Sequence, residues 1–242
     1  MKYMGSKARI AKHILPIILK NRKEGQCYVE PFVGGANMID KVDGNRIGAD
    51  INTAVIDALI FIRDHETPKN NAEYTEGDYN KAAAASRSGD KIRLVDSYAL
   101  IAFSFGAKWI GGWSRGKNNN GEQRDYVSEQ HCAASKQKAL IKGVEFKSCS
   151  YAELEIPPNS IIYCDPPYAN TTKYKDDFDH DKFWQWCREK CKEGHQVFIS
   201  EYNAPDDFVC IWQQELNVSV AKNGKHKKAM EKLFIHKSQK EQ

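Results

Sequence analysis

The chain has 242 residues, of which 41% are hydrophobic, 28% charged and 11% aromatic, and its formal net charge is +4. This length fits one large α/β domain, or one domain with a smaller insertion, and it is enough to bury a sizeable core. The aromatic content excludes a disordered or fibrous chain, and no apolar run reaches the roughly 18 residues that predict a transmembrane helix.

The cysteines and the N-terminal residues predict a cytoplasmic protein. The seven cysteines are scattered and odd in number, whereas a secreted disulfide framework favours an even set in a shorter chain. The first 20 residues contain neither the apolar segment nor the cleavage site of a secretory signal.

Positive charge is concentrated in three parts of the chain. Residues 1–23 hold seven Lys and Arg and no acid, residues 222–242 hold seven Lys against two acids, and residues 108–124 hold four cations against one acid. Basic ends and a basic middle segment suit a polyanionic partner. Charge alone favours this interpretation no more than a set of solvated faces.

Residues 27–64 predict the beginning of a doubly wound nucleotide-binding sheet. An apolar strand runs into Glu30-Pro31 and the Gly34-Gly35 turn, followed by a helix-like run and a second strand that ends at Asp50. Apolar residues at helical spacing then predict a helix over 53–64. A strand, glycine turn, helix and acid-terminated strand in this order are typical of Rossmann-like folds.

This alternation stops at residue 66. The pattern predicts an Ala-rich helix within 66–90, a buried helix over 91–105 and another helix over 128–141. Residues 106–126 carry five glycines and two tryptophans, which indicates an exposed loop or hairpin.

The sheet pattern resumes near residue 143. Strands are predicted over 144–151, 160–168 and 195–202, a helix over 180–193, and two closing antiparallel strands over 208–218 and 232–238. We therefore predict an α/β sheet domain formed by residues 1–65 and 143–242, with a mostly helical insertion at 66–142.

The most distinctive motif is Asp165-Pro166-Pro167-Tyr168, directly after an apolar strand. Two prolines cannot continue a central strand, so the chain leaves the sheet at a carboxyl end, where open α/β sheets bind ligands. An acid, a rigid carbonyl and an aromatic ring suit a flat base with an exocyclic amino group, because two acceptors can take its two N–H donors. The plain alternative is a strand exit with a surface acid.

With this motif the chain resembles the Dam-like family of DNA adenine-N6 methyltransferases. The matching stretches are KYMGSK (2–7), EPFVGGAN (30–37), GADIN (48–52) and the motif at 165–168, in the family's order. The resemblance implies a Rossmann-like class I methyltransferase fold with a DNA-recognition insertion at 66–142. The family often has Ser-Asn-His where this chain has Ser200-Glu201-Tyr202, so its target sequence is not carried over.

The resemblance also implies the reaction and the partners. The cofactor is S-adenosyl-L-methionine, the substrate is double-stranded DNA, and the methyl group goes by direct in-line attack to N6 of a flipped-out adenine, without a metal. The setting is the cytoplasm of a bacterium or phage-infected host, within DNA methylation or restriction–modification, with the protein as a monomer or weak dimer. The alternatives are a cytosine-N4 methyltransferase and a non-catalytic DNA-binding relative.

The resemblance and the chemistry of the side chains together predict which residues are catalytic and which bind the cofactor. The residues predicted to be catalytic are Asp165, Pro166, Pro167 and Tyr168. Those predicted to bind the cofactor are Tyr3, Lys7, Glu30, Phe32, Gly34, Gly35, Asp50, Ile51, Tyr151 and Asp165.

Three of the cofactor assignments have structural alternatives. Gly34-Gly35 allows close approach to a ligand, but a tight turn without a ligand has the same signature. Asp50 can accept both hydroxyls of a ribose, or it can cap the helix at 53–64, where Asn52 would serve equally well. Glu30 can face the cofactor's ammonium group or form an ion pair within the fold.

The segment 106–126 is predicted to choose the DNA site. Its predicted DNA-binding residues are Lys108, Trp113, Arg115, Lys117 and Arg124. The guanidinium fork of arginine suits O6 and N7 of guanine, whereas lysine suits phosphates.

Cysteine chemistry and zinc binding are not expected. Cys187, Cys191 and His195 recur at intervals of four, but no fourth ligand accompanies them, so packing is the favoured interpretation. Cys164 adjoins the motif, and strand alternation is expected to point it away from Asp165.

Overall fold

The computed structural model describes residues 1–3, 5–168, 178–220 and 226–241. Met4 of the N-terminal motif and residues 222–225 and 242 of the basic C-terminal stretch lie outside the described residues. No helix in these ranges is both long and apolar enough to cross a membrane.

In the described part of the chain seven strands form one sheet, in the order β3-β2-β1-β4-β5-β7-β6. The strands are β1 (Tyr28–Glu30), β2 (Arg46–Asp50), β3 (Glu145–Ser148), β4 (Ile161–Cys164), β5 (Gln196–Glu201), β6 (Phe208–Val220) and β7 (His226–His236). Strands β1 to β5 are parallel, and β7 is antiparallel to both of its neighbours. This doubly wound order confirms the predicted Rossmann-like methyltransferase sheet.

Helices cover both faces of the sheet. They are α1 (Ala11–Ile18), α2 (Thr53–Asp64), α3 (Glu76–Arg87), α4 (Leu94–Ala102), α5 (Tyr126–Leu140) and α6 (His180–Lys192). The helices predicted over 53–64 and 180–193 are confirmed, because their apolar periodicity reports directly on the face that the sheet buries.

The helix-like run predicted after the glycine turn is wrong. Only a short 3₁₀ helix, Ile39–Lys41, forms there. Gly34 and Ala36 have positive φ angles of 46° and 55°, so the backbone leaves the right-handed helical region just before this run. Helix α1, which the sequence pattern did not predict, precedes the loop instead.

Helices α3, α4 and α5 lie within the predicted insertion at 66–142. Helices α4 and α5 pack on α2. Buried Tyr98, Leu100 and Val127 belong to the same apolar core as Leu59 and Ile62 of α2. The insertion therefore adds to the core beside the sheet, and its boundaries at 66 and 142 stay a prediction.

The other face of the sheet is covered by α6. Its Phe183, Trp184 and Cys187 pack in a second apolar core with Cys164 of β4. Cys164 therefore points away from the site at Asp165, as alternation along the strand predicts.

Cys191 and His195 make hydrogen bonds of their own at the end of α6. Cys191 Sγ lies 3.0 Å from Gln239 Oε1, and His195 Nδ1 accepts a hydrogen bond from the Ser160 amide at 3.1 Å. Within the described ranges no three His, Cys, Asp or Glu side chains are grouped so that they could hold a metal ion.

The β6–β7 ribbon extends past the carboxyl end of β5. The last pair between β5 and β7 is Glu201 with Lys232, whereas β6 and β7 stay paired as far as Val220 with His226. The sequence predicted only residues 232–238 for this strand, because the lysines before residue 232 conceal the strand pattern. The ribbon therefore stands beside the edge where the Asp165 motif leaves the sheet.

Candidate active site

Asp165 follows β4 directly and lies at the carboxyl edge of the sheet, where the proline pair ends the strand. Its Oδ1 is 3.1 Å from Lys7 Nζ, which is also 3.7 Å from Glu231 Oε2 on β7. Burial raises the pKa of Asp165, although the Lys7 ammonium opposes this shift. Burial would lower the pKa of Lys7, but the Asp165 and Glu231 carboxylates outweigh it and the pKa is raised.

The ring of Tyr168 is held from several sides. Its hydroxyl donates a hydrogen bond to Glu231 Oε2 at 2.8 Å. Lys7 Nζ lies 4.4 Å from the ring centroid, and the Tyr202 ring meets it edge-on at 4.6 Å. The Tyr168 ring and the Asp165 carboxylate therefore both lie against the Lys7 ammonium.

Asp50 fastens the glycine loop to the end of β2. Its Oδ2 accepts the Gly34 amide hydrogen at 3.1 Å, and its Oδ1 accepts that of Asn52 at 2.9 Å. The N-cap of α2 is Asn52, whose side chain accepts from the Ala54 amide. The helix-capping alternative for Asp50 is therefore wrong, and each carboxylate oxygen keeps a lone pair for a further donor.

The N-terminal segment lies on the glycine loop. A Cβ on Gly35 would come within 2.7 Å of both the Met1 carbonyl oxygen and Tyr3 Cβ, and within 2.6 Å of Asn37 Nδ2. Because glycine has no Cβ, Gly35 leaves the room in which Tyr3 packs against the loop. This packing places Lys7 beside Asp165, more than 150 residues away in the sequence.

Glu30 at the end of β1 is a buried carboxyl group, 3% exposed. It accepts a hydrogen bond from the Tyr28 hydroxyl at 2.9 Å, and burial raises its pKa well above the usual range. Among the residues that the structure describes, no basic side chain comes within ion-pair distance of Glu30. The alternative of an ion pair within the fold therefore finds no partner there.

Aromatic side chains gather at the same edge of the sheet. The rings of Phe32 and Tyr151 are 5.3 Å apart, and Phe178 contacts both, at 5.8 and 5.9 Å. Ile51 follows Asp50 and is 76% exposed. An apolar side chain open to solvent and an aromatic cluster at the same edge of the sheet are suited to a flat ligand.

The segment 106–126 forms a hairpin-like loop, as predicted. Isolated bridges join Ser104 to Trp113 and Lys117 to Gln123. Trp113 is half-buried and packs edge-on against the rings of Tyr79 and Phe103. It contributes to the base of the hairpin.

Both arginines of the hairpin are paired with acids. Arg115 forms an ion pair with Glu76 of α3 and remains 67% exposed. Arg124 makes a bidentate pair with Glu129, at 2.8 and 2.6 Å, and lies 4.6 Å from the Tyr126 ring. Among the described residues, Arg124 is thus engaged by a carboxylate and an aromatic ring, whereas Arg115 pairs with Glu76 and stays largely exposed.

Two residues of the site were not predicted from the sequence. Glu231 looked like one charge among the lysines of the C-terminal stretch, and Tyr202 stood at the position where the family motif is lost. The available signal for Glu231 was its place, together with Lys232, directly before the apolar run at residues 233–235.

Comparison with known proteins identifies the family of this chain. The model of the D12 class N6 adenine-specific DNA methyltransferases matches residues 3–231. The chain therefore belongs to the D12 class of N6 adenine-specific DNA methyltransferases, which confirms the resemblance found in the motifs.

Two individual proteins are similar to this chain. The Type II methyltransferase M.FokI of Planomicrobium okeanokoites is 26% identical over 212 residues, which is 78% of this chain and 32% of that protein. The chain thus spans about a third of the length of this curated relative. The crystal structure of SMU.472 complexed with SAH aligns over 96% of this chain and 53% of that one, at 10% identity and a TM-score of 0.33.

Proposed function

We propose that this protein transfers a methyl group from S-adenosyl-L-methionine to N6 of adenine in double-stranded DNA. The observation that carries the proposal is the position of Lys7 Nζ, 3.1 Å from Asp165 Oδ1 and 4.4 Å from the Tyr168 ring centroid. A nitrogen that carries N–H donors already sits against this carboxylate and this ring. The amino group of a flipped adenine needs the same two contacts, and Lys7 must move to admit it.

The residues of the motif would act on the amino group directly. The Asp165 carboxylate and the Pro166 carbonyl would accept hydrogen bonds from its two N–H groups, which favours a tetrahedral nitrogen with its lone pair available. Tyr168 would stack on the base and offset part of the few kcal/mol that extrusion from the helix costs. When bound, S-adenosylmethionine supplies a methyl group that is already electrophilic, so positioning is the main requirement.

The loop residues fit such a cofactor. Gly34 and Gly35 allow close backbone approach, and Asp50 keeps lone pairs for the ribose hydroxyls. Glu30 offers a buried carboxylate to the ammonium group, which is the kind of partner a buried acid requires. Ile51 and the Tyr151 cluster offer apolar surfaces to the adenine ring.

The family membership favours adenine N6 over the alternatives. Cytosine-N4 methylation is not favoured, because the matching family is adenine-specific. A non-catalytic relative is not favoured either, because the acid, the ring and the glycine loop are all in place. The protein would act where the DNA is, in the cytoplasm of a bacterium or a phage-infected host.

The function is tested by expressing the chain in a host whose own DNA lacks methylation. Single-molecule sequencing of that DNA should show N6-methyladenine at one recurring sequence. Methylation at cytosine N4 would replace the adenine assignment, and unmodified DNA in the presence of folded protein would contradict the proposal.

Asp50→Ala should weaken S-adenosylmethionine binding by roughly 1.5–3 kcal/mol, the range for a hydrogen bond to a charged group. The change removes the proposed ribose acceptor and releases the Gly34 amide from the loop. Calorimetry measures the affinity. Asn52→Ala is the control, since it removes the α2 cap but no ribose acceptor. Equal affinities in wild type and Asp50→Ala would leave Asp50 with a role in the loop alone.

We also propose that residues 66–142 choose the DNA site. Helix α5 approaches the glycine loop, since Gln137 Nε2 donates to the Gly35 carbonyl at 3.0 Å. The pKa of Glu129, near the start of α5, is lowered by Arg124 and to a smaller extent by Lys2 of the N-terminal segment. The hairpin that leads into α5 is tied to the start of that helix by the Arg124–Glu129 ion pair, and Lys108 is exposed near its base.

Arg115→Ala should relax sequence preference at one base position and cost about 1–3 kcal/mol in specific DNA binding. Lys117→Ala is the matched control from the same hairpin. It should weaken all sequences alike and lower the salt slope by about one unit, because lysine suits phosphates. Titrations with several duplexes at several salt concentrations separate the two effects. If Arg115→Ala and Arg124→Ala both keep the methylated sequence and its rate, site choice lies elsewhere.

A further inference from the structure

Glu231 brings a second carboxylate to the Asp165 site, from the opposite end of the chain. It lies on β7, opposite Gln214 of β6 and next to Lys232, the residue paired with the end of β5. Its side chain is 8% exposed. Glu231 Oε2 accepts a hydrogen bond from the Tyr168 hydroxyl, with 2.8 Å between the two oxygens, and lies 3.7 Å from Lys7 Nζ.

This arrangement puts one cation between two acids. A buried carboxylate is costly unless it is paired, and Lys7 stands between Glu231 and Asp165. Without Glu231, the Lys7 ammonium would have Asp165 as its remaining carboxylate at this distance among the described residues. Lys7 would then have no second carboxylate among the described residues to pair with when the adenine amino group displaces it from Asp165.

We propose that Glu231 is a positioning residue for methyl transfer, which orients the Tyr168 ring through its hydroxyl and holds the Lys7 ammonium when the adenine amino group displaces it from Asp165. The inference rests on the proposed function. It assigns no contact between Glu231 and the substrate, because Glu231 acts through Tyr168 and Lys7.

The two substitutions at Glu231 separate its two contacts. Glu231→Gln keeps an acceptor for the Tyr168 hydroxyl but removes the negative charge, so kcat should fall by about tenfold while KM for DNA changes little. Glu231→Ala removes both contacts and should lower kcat by up to about a hundredfold, the loss that a small misplacement of reacting groups causes.

The pH profile distinguishes positioning from simple stabilisation. The ionisable groups that act on Asp165 come from several elements: Lys7, Glu30, Tyr163, Tyr168, Tyr202 and Glu231. The Glu231 charge raises the pKa of Asp165. Activity requires ionised Asp165, so removing that charge should move the acid limb of the kcat profile to lower pH.

The experiment compares wild type, Glu231→Gln, Glu231→Ala and Glu215→Gln, with thermal unfolding of each as a check on folding. Glu215 is the control, since it is an exposed acid of the neighbouring strand that pairs with Lys228 at 2.6 Å. We expect Glu215→Gln to keep the wild-type kcat and acid limb. If Glu231→Ala does not fold, the near-isosteric Glu231→Gln decides the question.

The outcomes for Glu231 and for the proposed function are distinct. An active wild type with a lower kcat and a shifted acid limb in Glu231→Gln supports the inference. An active wild type with unchanged kcat and acid limb in that variant overturns the inference and leaves methyl transfer intact. A folded wild type without methyl transfer overturns both.

Discussion

Asp165→Ala is expected to abolish methyl transfer, with a loss of about 10³-fold or more, while S-adenosylmethionine binding stays within about an order of magnitude. Asp165 is the carboxylate that would accept a hydrogen bond from the adenine amino group, and alanine has no side-chain acceptor. Asp165→Asn should be nearly as inactive, because its amide N–H groups are donors and can face the N–H donors of the base. Chromatography of digested DNA measures N6-methyladenine, and calorimetry measures cofactor affinity.

Asp207→Asn is the matched control for the loss of an ion-paired aspartate. Asp207 pairs with Arg188 of α6 at 2.6 and 2.9 Å, on the face of the sheet away from Lys7. The Asp207→Asn variant should keep the wild-type rate of methyl transfer. Near-normal turnover in both Asp165 variants would remove Asp165 from the reaction.

Gly35→Ala should lower cofactor affinity by at least about a hundredfold and destabilise the fold by about 1–3 kcal/mol, the usual cost of an overpacked site. The added Cβ would lie 2.7 Å from the Met1 carbonyl oxygen and 2.7 Å from Tyr3 Cβ. The backbone oxygen cannot move without the segment that carries Tyr3, so the segment should lift from the loop and withdraw Lys7 from Asp165. Thermal unfolding and calorimetry report the two losses.

Gly77→Ala provides the comparison for this substitution. Gly77 lies in α3, and its added Cβ would meet Thr75 Oγ1 at 3.5 Å, an ordinary contact. Alanine also has the higher helix propensity, by roughly 1 kcal/mol. Gly77→Ala should therefore keep cofactor binding and not lose stability. Equal cofactor affinity in Gly35→Ala and wild type would show that the N-terminal segment does not depend on close packing at the loop.

The sequence by itself determined the elements whose signals are local. The apolar spacing over 53–64 matched α2, because a helix that packs on a sheet buries one face at a period of 3.6 residues. The prolines after Asp165 placed the site at a carboxyl end of the sheet, because proline cannot continue a central strand. These inferences needed only residues that are neighbours in the chain.

Local patterns were less informative where a loop or a charged strand intervened. Positive φ angles at Gly34 and Ala36 prevented the helix-like run after the glycine turn from continuing as an α-helix. The lysines at the start of β7 hid the strand that carries Glu231. At the glycine turn, packing against the N-terminal segment outweighed the helical preference of the residues. At β7, pairing with the neighbouring strands outweighed the low strand preference of the lysines.

Only the tertiary structure decided how the acids and cations of the site are paired. Lys7 meets Asp165 and Glu231 because the glycine loop, β4 and an antiparallel strand from the end of the chain converge at one edge. Asp50 and Asn52 stand two residues apart and both carry a side-chain oxygen acceptor, and backbone geometry gave one the loop and the other the helix cap. Such pairings depend on strand register and on distances across the fold, and these are set by the packing of segments that are far apart in sequence.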